Sequence, residues 1–170
     1  MGTIEVVLGD ITGQRVDVIV TAANESLLGG GGVDGVVHRA AGPRLARAGA
    51  AIAPCDPGDA KVTAAFDLDP PVRQIIHTVG PVWEGGTYGE ADVLASCYRR
   101  SLHLADELGA RTIAFPAIAT GVYGFPASEA ARIAVRTIRS TATAIDTVYL
   151  VAFDTDTYDA LTAALHDEAK

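Results

Sequence analysis

Long apolar runs are missing from this chain: none approaches the roughly 20 residues that would span a bilayer. The opening "MGTIEVVLGD" carries neither the basic nor the apolar segment of a secretory leader. Cysteine is scarce. Cys55 and Cys97 are the only two, they match no metal or redox spacing, and two do not make a disulfide framework. These absences lead to the expectation of a cytoplasmic protein. Basic residues are outnumbered, 13 Lys and Arg against 21 Asp and Glu, for a formal net charge of −8. Broad affinity for nucleic acid needs clustered cations that displace counterions, so that class is disfavoured. Recognition of one nucleotide in a pocket is not, because backbone N–H groups hold anions inside acidic proteins as well. Neither a standard P-loop nor a dinucleotide fingerprint is expected.

What is present is ordinary globular material: 170 residues, 49% hydrophobic and 20% charged, enough for one domain over 1–170 with a proper core. Six runs rich in Val, Ile and Thr read as strands: Thr3–Leu8, Val16–Val20, Ala60–Phe66, Gln74–Val79, Thr112–Pro116 and Thr147–Phe153. Several are apolar almost throughout, as strands buried on both faces should be, whereas the first alternates and belongs nearer an edge. Helical patterns fall between them, over Val33–Ala41, Pro43–Ala51, Ala91–Leu108, Ser128–Arg139 and Asp156–Glu168. Leu108 is followed by Gly109, a C-terminal stop, and Ser128 stands where an N-cap would. Strands alternating with helices argue a three-layer α/β/α sandwich on a central sheet. "APCDPGDAK" and "GPVWEGGTYGE" read as surface loops.

In such sheets ligands gather where strands end and helices begin. At "LGDIT", Asp10 and the Ile11 backbone could serve an adenine-like ring through its amine and a ring nitrogen, or Asp10 could simply cap a turn. At "TAANESLLGGGGVDGVVHRAAG", four glycines from Gly29 to Gly32 let backbone N–H groups approach anionic oxygens. Asn24 just before them offers a donor and an acceptor to a polyol. Asp34 falls in the first helical turn, where the dipole favours its ionised form. Without a ligand, the same stretch would be a loop capped by Asp34. His38 shares a helical face with Asp34. It is an acid–base partner or, the preferred reading, a brace packed under the loop, since a general base must project towards the ligand. His77 reads as a core residue, and His103 and His166 as exposed helix positions. At "PAIATGVYGFP", the small residues Ala119, Thr120, Gly121 and Val122 suit a diphosphate and Tyr123 a sugar. Phe153, at the end of the last strand, is either a base-stacking aromatic or a core one.

Taken together, "GDIT", "VDVIVTAANESLLGGGGVDGVVHRAAG", "GDAKVT", "IIHTVGPVW" and "PAIATGVYGFP" resemble the macrodomain family, of the MacroD type, over about Val7 to Tyr158. The resemblance implies a mixed six-stranded central sheet and a deep cleft for ADP-ribose. It implies Asp10 and Ile11 at adenine, and Gly30, Gly31, Gly32 and Val33, with Ala23 beside them, along the diphosphate and distal ribose. Ala119, Thr120, Gly121 and Val122 would complete the diphosphate cradle, Tyr123 would pack on the distal ribose and Phe153 would stack near adenine. Asn24 and Asp34 would be the catalytic pair. The implied activity is hydrolysis: removal of ADP-ribose from Asp or Glu side chains of proteins, deacetylation of O-acetyl-ADP-ribose, or release from DNA or RNA conjugates. The alternative is a reader that binds without turnover. No metal, cofactor or membrane is expected, and the protein is expected to act as a monomer. Two residues depart from the family: Thr21 where Asn is frequent, with altered bracing of the Asn24 loop expected, and Ala119 where Ser is frequent.

Overall fold

The computed structural model describes residues 2–168. Six strands, β1 (Thr3–Leu8), β2 (Val18–Ala22), β3 (Ala60–Ala64), β4 (Gln74–Thr78), β5 (Thr112–Phe115) and β6 (Thr147–Ala152), form one sheet in the order β1-β6-β5-β2-β4-β3. All neighbours pair in parallel except β3, which runs antiparallel to β4 at the far edge. The sheet is therefore mixed, and β1 is an edge strand. Five helices complete the fold: α1 (Gly32–Ala41), α2 (Arg44–Ile52), α3 (Glu90–Glu107), α4 (Ala127–Ser140) and α5 (Thr155–Glu168).

Side-chain alternation along the strands sorts the layers. Val18 and Val20 of β2, Ile76 of β4 and Leu150 of β6 point into a core shared with α3, α4 and α5. Ile19, Ile75 and Val151 point the other way, against Val37 and Ala41 of α1 and Leu45 of α2. Two helices thus cover one face and three the other, the expected α/β/α arrangement. Among the described residues no helix is long and apolar enough to cross a membrane.

Several boundaries differ from the sequence reading. β2 begins at Val18, because Asp17 leaves the ladder to bind the start of β5: its carboxylate accepts from Arg111 N at 2.8 Å and its N–H donates to Thr112 Oγ1 at 2.9 Å. Val16 is a buried anchor outside the sheet. β3 stops at Ala64, since Phe66 turns to a φ of 51° and opens a short 3-10 turn under the Arg44 guanidinium. α4 starts one residue before Ser128, behind Pro126 and without a side-chain cap.

The "GPVWEGGTYGE" loop is more ordered than a surface loop need be. Glu90, buried at the start of α3, accepts backbone N–H groups from Glu84 and Gly86 at 2.9 Å and from Tyr88 at 2.7 Å. These bonds, Glu84's first, pull its pKa down to about 2, against the burial that would raise it. A lowered carboxyl pKa stabilises the fold above the unfolded value and is lost as pH falls through the folded one. Glu90→Gln is therefore expected to melt below the wild type at pH 7. Melting curves across pH should show that gap narrowing between about 4.5 and 2.

Candidate functional site

The ladder between β2 and β5 is two pairs long, Val18 with Ile113 and Ile19 with Ala114. Beyond it the two strands run on into opposite walls of a cavity of about 260 Å³. α1 follows β2 on one face of the sheet, and α4 follows β5 on the other. Such a switch point at carboxyl strand ends is where open α/β sheets place ligands. One wall is Ala22, Ala23, Asn24 and Gly30 to Asp34; the other is Ala117, Ala119, Gly121, Val122 and Tyr123, with Gly80 from the end of β4 between them.

Most residues singled out from sequence therefore converge. α1 starts at Gly32 behind Gly31, so the N–H groups of Gly32, Val33 and Asp34 have no intrahelical partner and open on the cavity. Opposite, Ala119 takes a φ of 68°, unusual for a residue with a side chain, and its carbonyl accepts from Phe125 N at 2.9 Å. That conformation turns the Gly121–Tyr123 segment along the wall. Val122 is 97% exposed, so its apolar side chain points away from the protein body.

Asn24 Nδ2 donates to Gly29 O at 3.3 Å, and its Oδ1 accepts from Ser26 Oγ at 2.6 Å. Its amide is thus oriented by its own loop. Thr21 plays no part in this and instead braces Asp34, its hydroxyl donating to Asp34 Oδ1 at 2.9 Å. β2 aims Thr21 at the first turn of α1, so the Asn24 loop is braced by its own residues and receives no bond from Thr21.

Asp34 is only 3% exposed, and its Oδ2 has no hydrogen-bond partner among the described residues. Burial is the largest influence on it and raises its pKa, opposed by the Thr21 hydroxyl and the charge of His38. The helix-dipole expectation of an easily ionised Asp34 is outweighed by this desolvation. Its carboxylate is consequently a stronger base than a solvated one.

The His38 ring lies directly under the glycine run, where a Cβ on Gly29 would meet it at 3.2 Å. Its Nε2 is 3.6 Å from Asp34 Oδ1, too long for a hydrogen bond. His77 is fully buried, as expected, with Nε2 2.9 Å from Thr63 Oγ1 and a pKa lowered to about 4, chiefly by burial and then by His38. No metal-ligand cluster was expected, yet Asp34, His38 and His77 bring one ligand atom each to within 4.8 Å of one another. α1 and β4 assemble that cluster from distant parts of the chain.

Asp10, Ile11 and Phe153 do not line the cavity. They sit further along the same strand-end edge, where Gly9 N donates to Ala152 O at 2.8 Å and joins the ends of β1 and β6. Asp10 does cap a 3-10 turn, its Oδ1 accepting from Thr12 N and Oγ1, which leaves Oδ2 unengaged by that turn. Ile11, first in the turn, has a backbone N–H without an intrahelical partner. Phe153 is 49% exposed, so it is not a core aromatic. Thr120 faces away from the main cavity, into a small apolar gap between α3, α4 and α5, and its hydroxyl donates to Ala117 O. Sequence reasoning passed over Ala22, Ala117 and Gly80; their only signal was position, Ala22 at the end of β2 and the other two just beyond β5 and β4.

Gly31 has an ordinary φ of −89°, and a Cβ there would meet nothing of the protein within 4 Å. A side chain at this position would intrude only on whatever fills the cavity. Gly31→Val is expected to leave the melting temperature nearly unchanged while weakening ligand binding, measured by calorimetry beside thermal melts.

The macro domain family model matches residues 20–134. An O-acetyl-ADP-ribose deacetylase of Klebsiella pneumoniae is 55% identical over 160 residues, covering 90% of each chain. The solved Oceanobacillus iheyensis macrodomain with ADP superposes with a TM-score of 0.92 at 41% identity, covering 98% of this chain and 91% of that one. The Trypanosoma brucei macrodomain in complex with ADP-ribose superposes at 0.86 with 39% identity, over 95% and 68%.

Proposed function

Because the chain belongs to the macrodomain family, we propose that it is a hydrolase that holds ADP-ribose along this strand-end edge and releases it from ester conjugates. Adenine lies between Asp10 and Phe153, the diphosphate across the α1 N-terminus and the Ala119–Val122 backbone, and the distal ribose between Asn24 and Tyr123. The observation that carries hydrolysis over simple binding is Asp34: a carboxylate at the cavity wall, one oxygen fixed by Thr21 and the other unpartnered, with its proton affinity raised by burial. A base with its proton affinity raised in this way suits proton removal from water. The water oxygen bonds to the anomeric carbon of the distal ribose, its proton passes to Asp34, and the ester oxygen leaves with its electron pair as a carboxylate. That leaving group makes Asp- and Glu-linked ADP-ribose on proteins the favoured substrates. Deacetylation of O-acetyl-ADP-ribose is a related ester hydrolysis at the same place, and the Klebsiella relative's name supports it. Nucleic-acid conjugates are a third substrate class, to be ranked against the esters by assay.

The substrate test compares release of ADP-ribose from a Glu-linked protein, O-acetyl-ADP-ribose and thymidine-linked DNA under one set of conditions. Faster release from the esters is expected; exclusive action on the DNA conjugate would overturn the ester preference. Asp10→Ala is expected to weaken ADP-ribose binding by about 1–2 kcal/mol, since one hydrogen bond at an exposed position is lost. Calorimetry should show the same loss for AMP, because Asp10 serves only the adenine end. Unchanged affinity would remove Asp10 from the site.

A further inference from the structure

Beneath the cavity, three potential ligand atoms meet without a hydrogen bond among them. Asp34 Oδ2, His38 Nε2 and His77 Nδ1 are all buried and have no hydrogen-bond partner among the described residues. Asp34 is 3% exposed and His77 0%. Thr63 Oγ1 lies 3.0 Å from Ala64 O and 2.9 Å from His77 Nε2. When its single hydrogen goes to Ala64 O, it accepts from His77 Nε2, and Nδ1 then presents a lone pair towards Asp34 and His38. An anionic oxygen and a lone pair in a dry place call for a cation.

We propose that Asp34, His38 and His77 form a binding site for a zinc-like divalent cation, which silences the enzyme by occupying the Asp34 carboxylate. Two imidazoles and one carboxylate are a donor set that zinc and its neighbours favour. Outer hydrogen bonds that orient such ligands are already in place, between Thr21 and Asp34 and between Thr63 and His77. Ligand atoms around a tetrahedral ion with bonds of about 2.0–2.1 Å stand about 3.4 Å apart. Asp34 Oδ1, which also accepts from Thr21, stands 3.6 Å from His38 Nε2, and one ligand atom from each of the three residues lies within 4.8 Å of the others. Small side-chain rotations close the rest. The His38 side chain is 13% exposed, the most accessible of the three. Cation binding stands independently of the proposed hydrolysis; only the silencing rests on it.

The test uses the full chain without a histidine tag, titrated with Co2+ for its visible ligand-field bands and with Zn2+ by equilibrium dialysis. One ion per chain is expected, with Co2+ bands of low-coordinate nitrogen and oxygen ligation. Release of ADP-ribose from a Glu-linked conjugate should stop at one equivalent of Zn2+ and return on adding a chelator. His38→Gln and His77→Gln should each weaken binding at least tenfold, and Thr63→Val about tenfold through the lost orienting bond. Circular dichroism checks folding; should His77→Gln fail to fold, the more accessible His38→Gln carries the test. No Co2+ band, or binding unchanged in the folded variants, overturns the site. Binding with full activity at saturation overturns the silencing. Binding to an inactive wild type supports the site and counts against the hydrolase reading alone.

Discussion

Asp34→Ala is expected to slow single-turnover release of ADP-ribose by roughly 10²–10⁴, the range for a positioned acid or base. Affinity for ADP-ribose should change by less than about tenfold. The reason is a difference between states. In the proposed pose the buried carboxylate would touch little of the ground-state ligand and would lie near a diphosphate that repels it. In the transition state it receives a proton, and the burial that raised its proton affinity then works in its favour. Loss in turnover with binding retained is the signature of such an interaction. Asn24 is oriented by Ser26 and Gly29; on the proposed pose it would meet the ribose throughout, so Asn24→Ala should damage both. Asp34→Asn is a useful companion: it keeps the shape and an acceptor for the Thr21 hydroxyl but cannot take the proton. Full activity in both Asp34 variants would move the base elsewhere, to the substrate phosphate first of all.

Gly35→Ala should be nearly as damaging, for a mechanical reason. Helix propensity alone says that Ala in place of Gly inside α1 gains up to about 1 kcal/mol. Packing says the reverse. A Cβ on Gly35 would stand 2.6 Å from the Gly30 carbonyl oxygen, a backbone atom that cannot swing aside, and 3.2 Å from the Arg39 guanidinium. Relief requires the glycine run to lift off α1, which moves Gly30 and Gly31 into the cavity they line. A stability loss of about 1–3 kcal/mol is expected, as for overpacking of a tight site, together with at least tenfold weaker ADP-ribose binding. Urea unfolding beside calorimetry checks both. A variant more stable than wild type, with unchanged affinity, would show that the loop rides free of the helix.

Much of this was legible in the chain because the informative signals were local. β-rich runs bounded by turns located all six strands, and Gly109, at a φ of 71°, stops α3 as its position implied. The glycine run and "ATGVYG" were visible between strand and helix, and Gly30 to Gly32 with Ala119 and Gly121 to Tyr123 line the cavity. What stayed hidden was pairwise and distant. Thr21 looked like a departure near Asn24, but its partner is Asp34, which only the packing of β2 against α1 reveals. Gly30 to Gly35 in fact spell G-x-G-x-x-G, contrary to the expected absence of that pattern, and the third glycine serves close packing against the loop's own carbonyl. His77 lies far along the sequence from His38, and β4 alone brings them together, with ring centres 6.4 Å apart. Glu90 hides in the same way: its role is to collect three backbone N–H groups that precede it.

The central claim is that this cavity turns its ligand over and does not merely hold it. Wild-type protein in excess over a mono-ADP-ribosylated, Glu-linked protein, followed in time without added metal, separates the two outcomes directly. Free ADP-ribose is expected to appear in a single exponential, far faster than spontaneous ester loss, while the protein returns with an unmodified glutamate. Stoichiometric binding of the conjugate, with the ester intact over the same period, would contradict it.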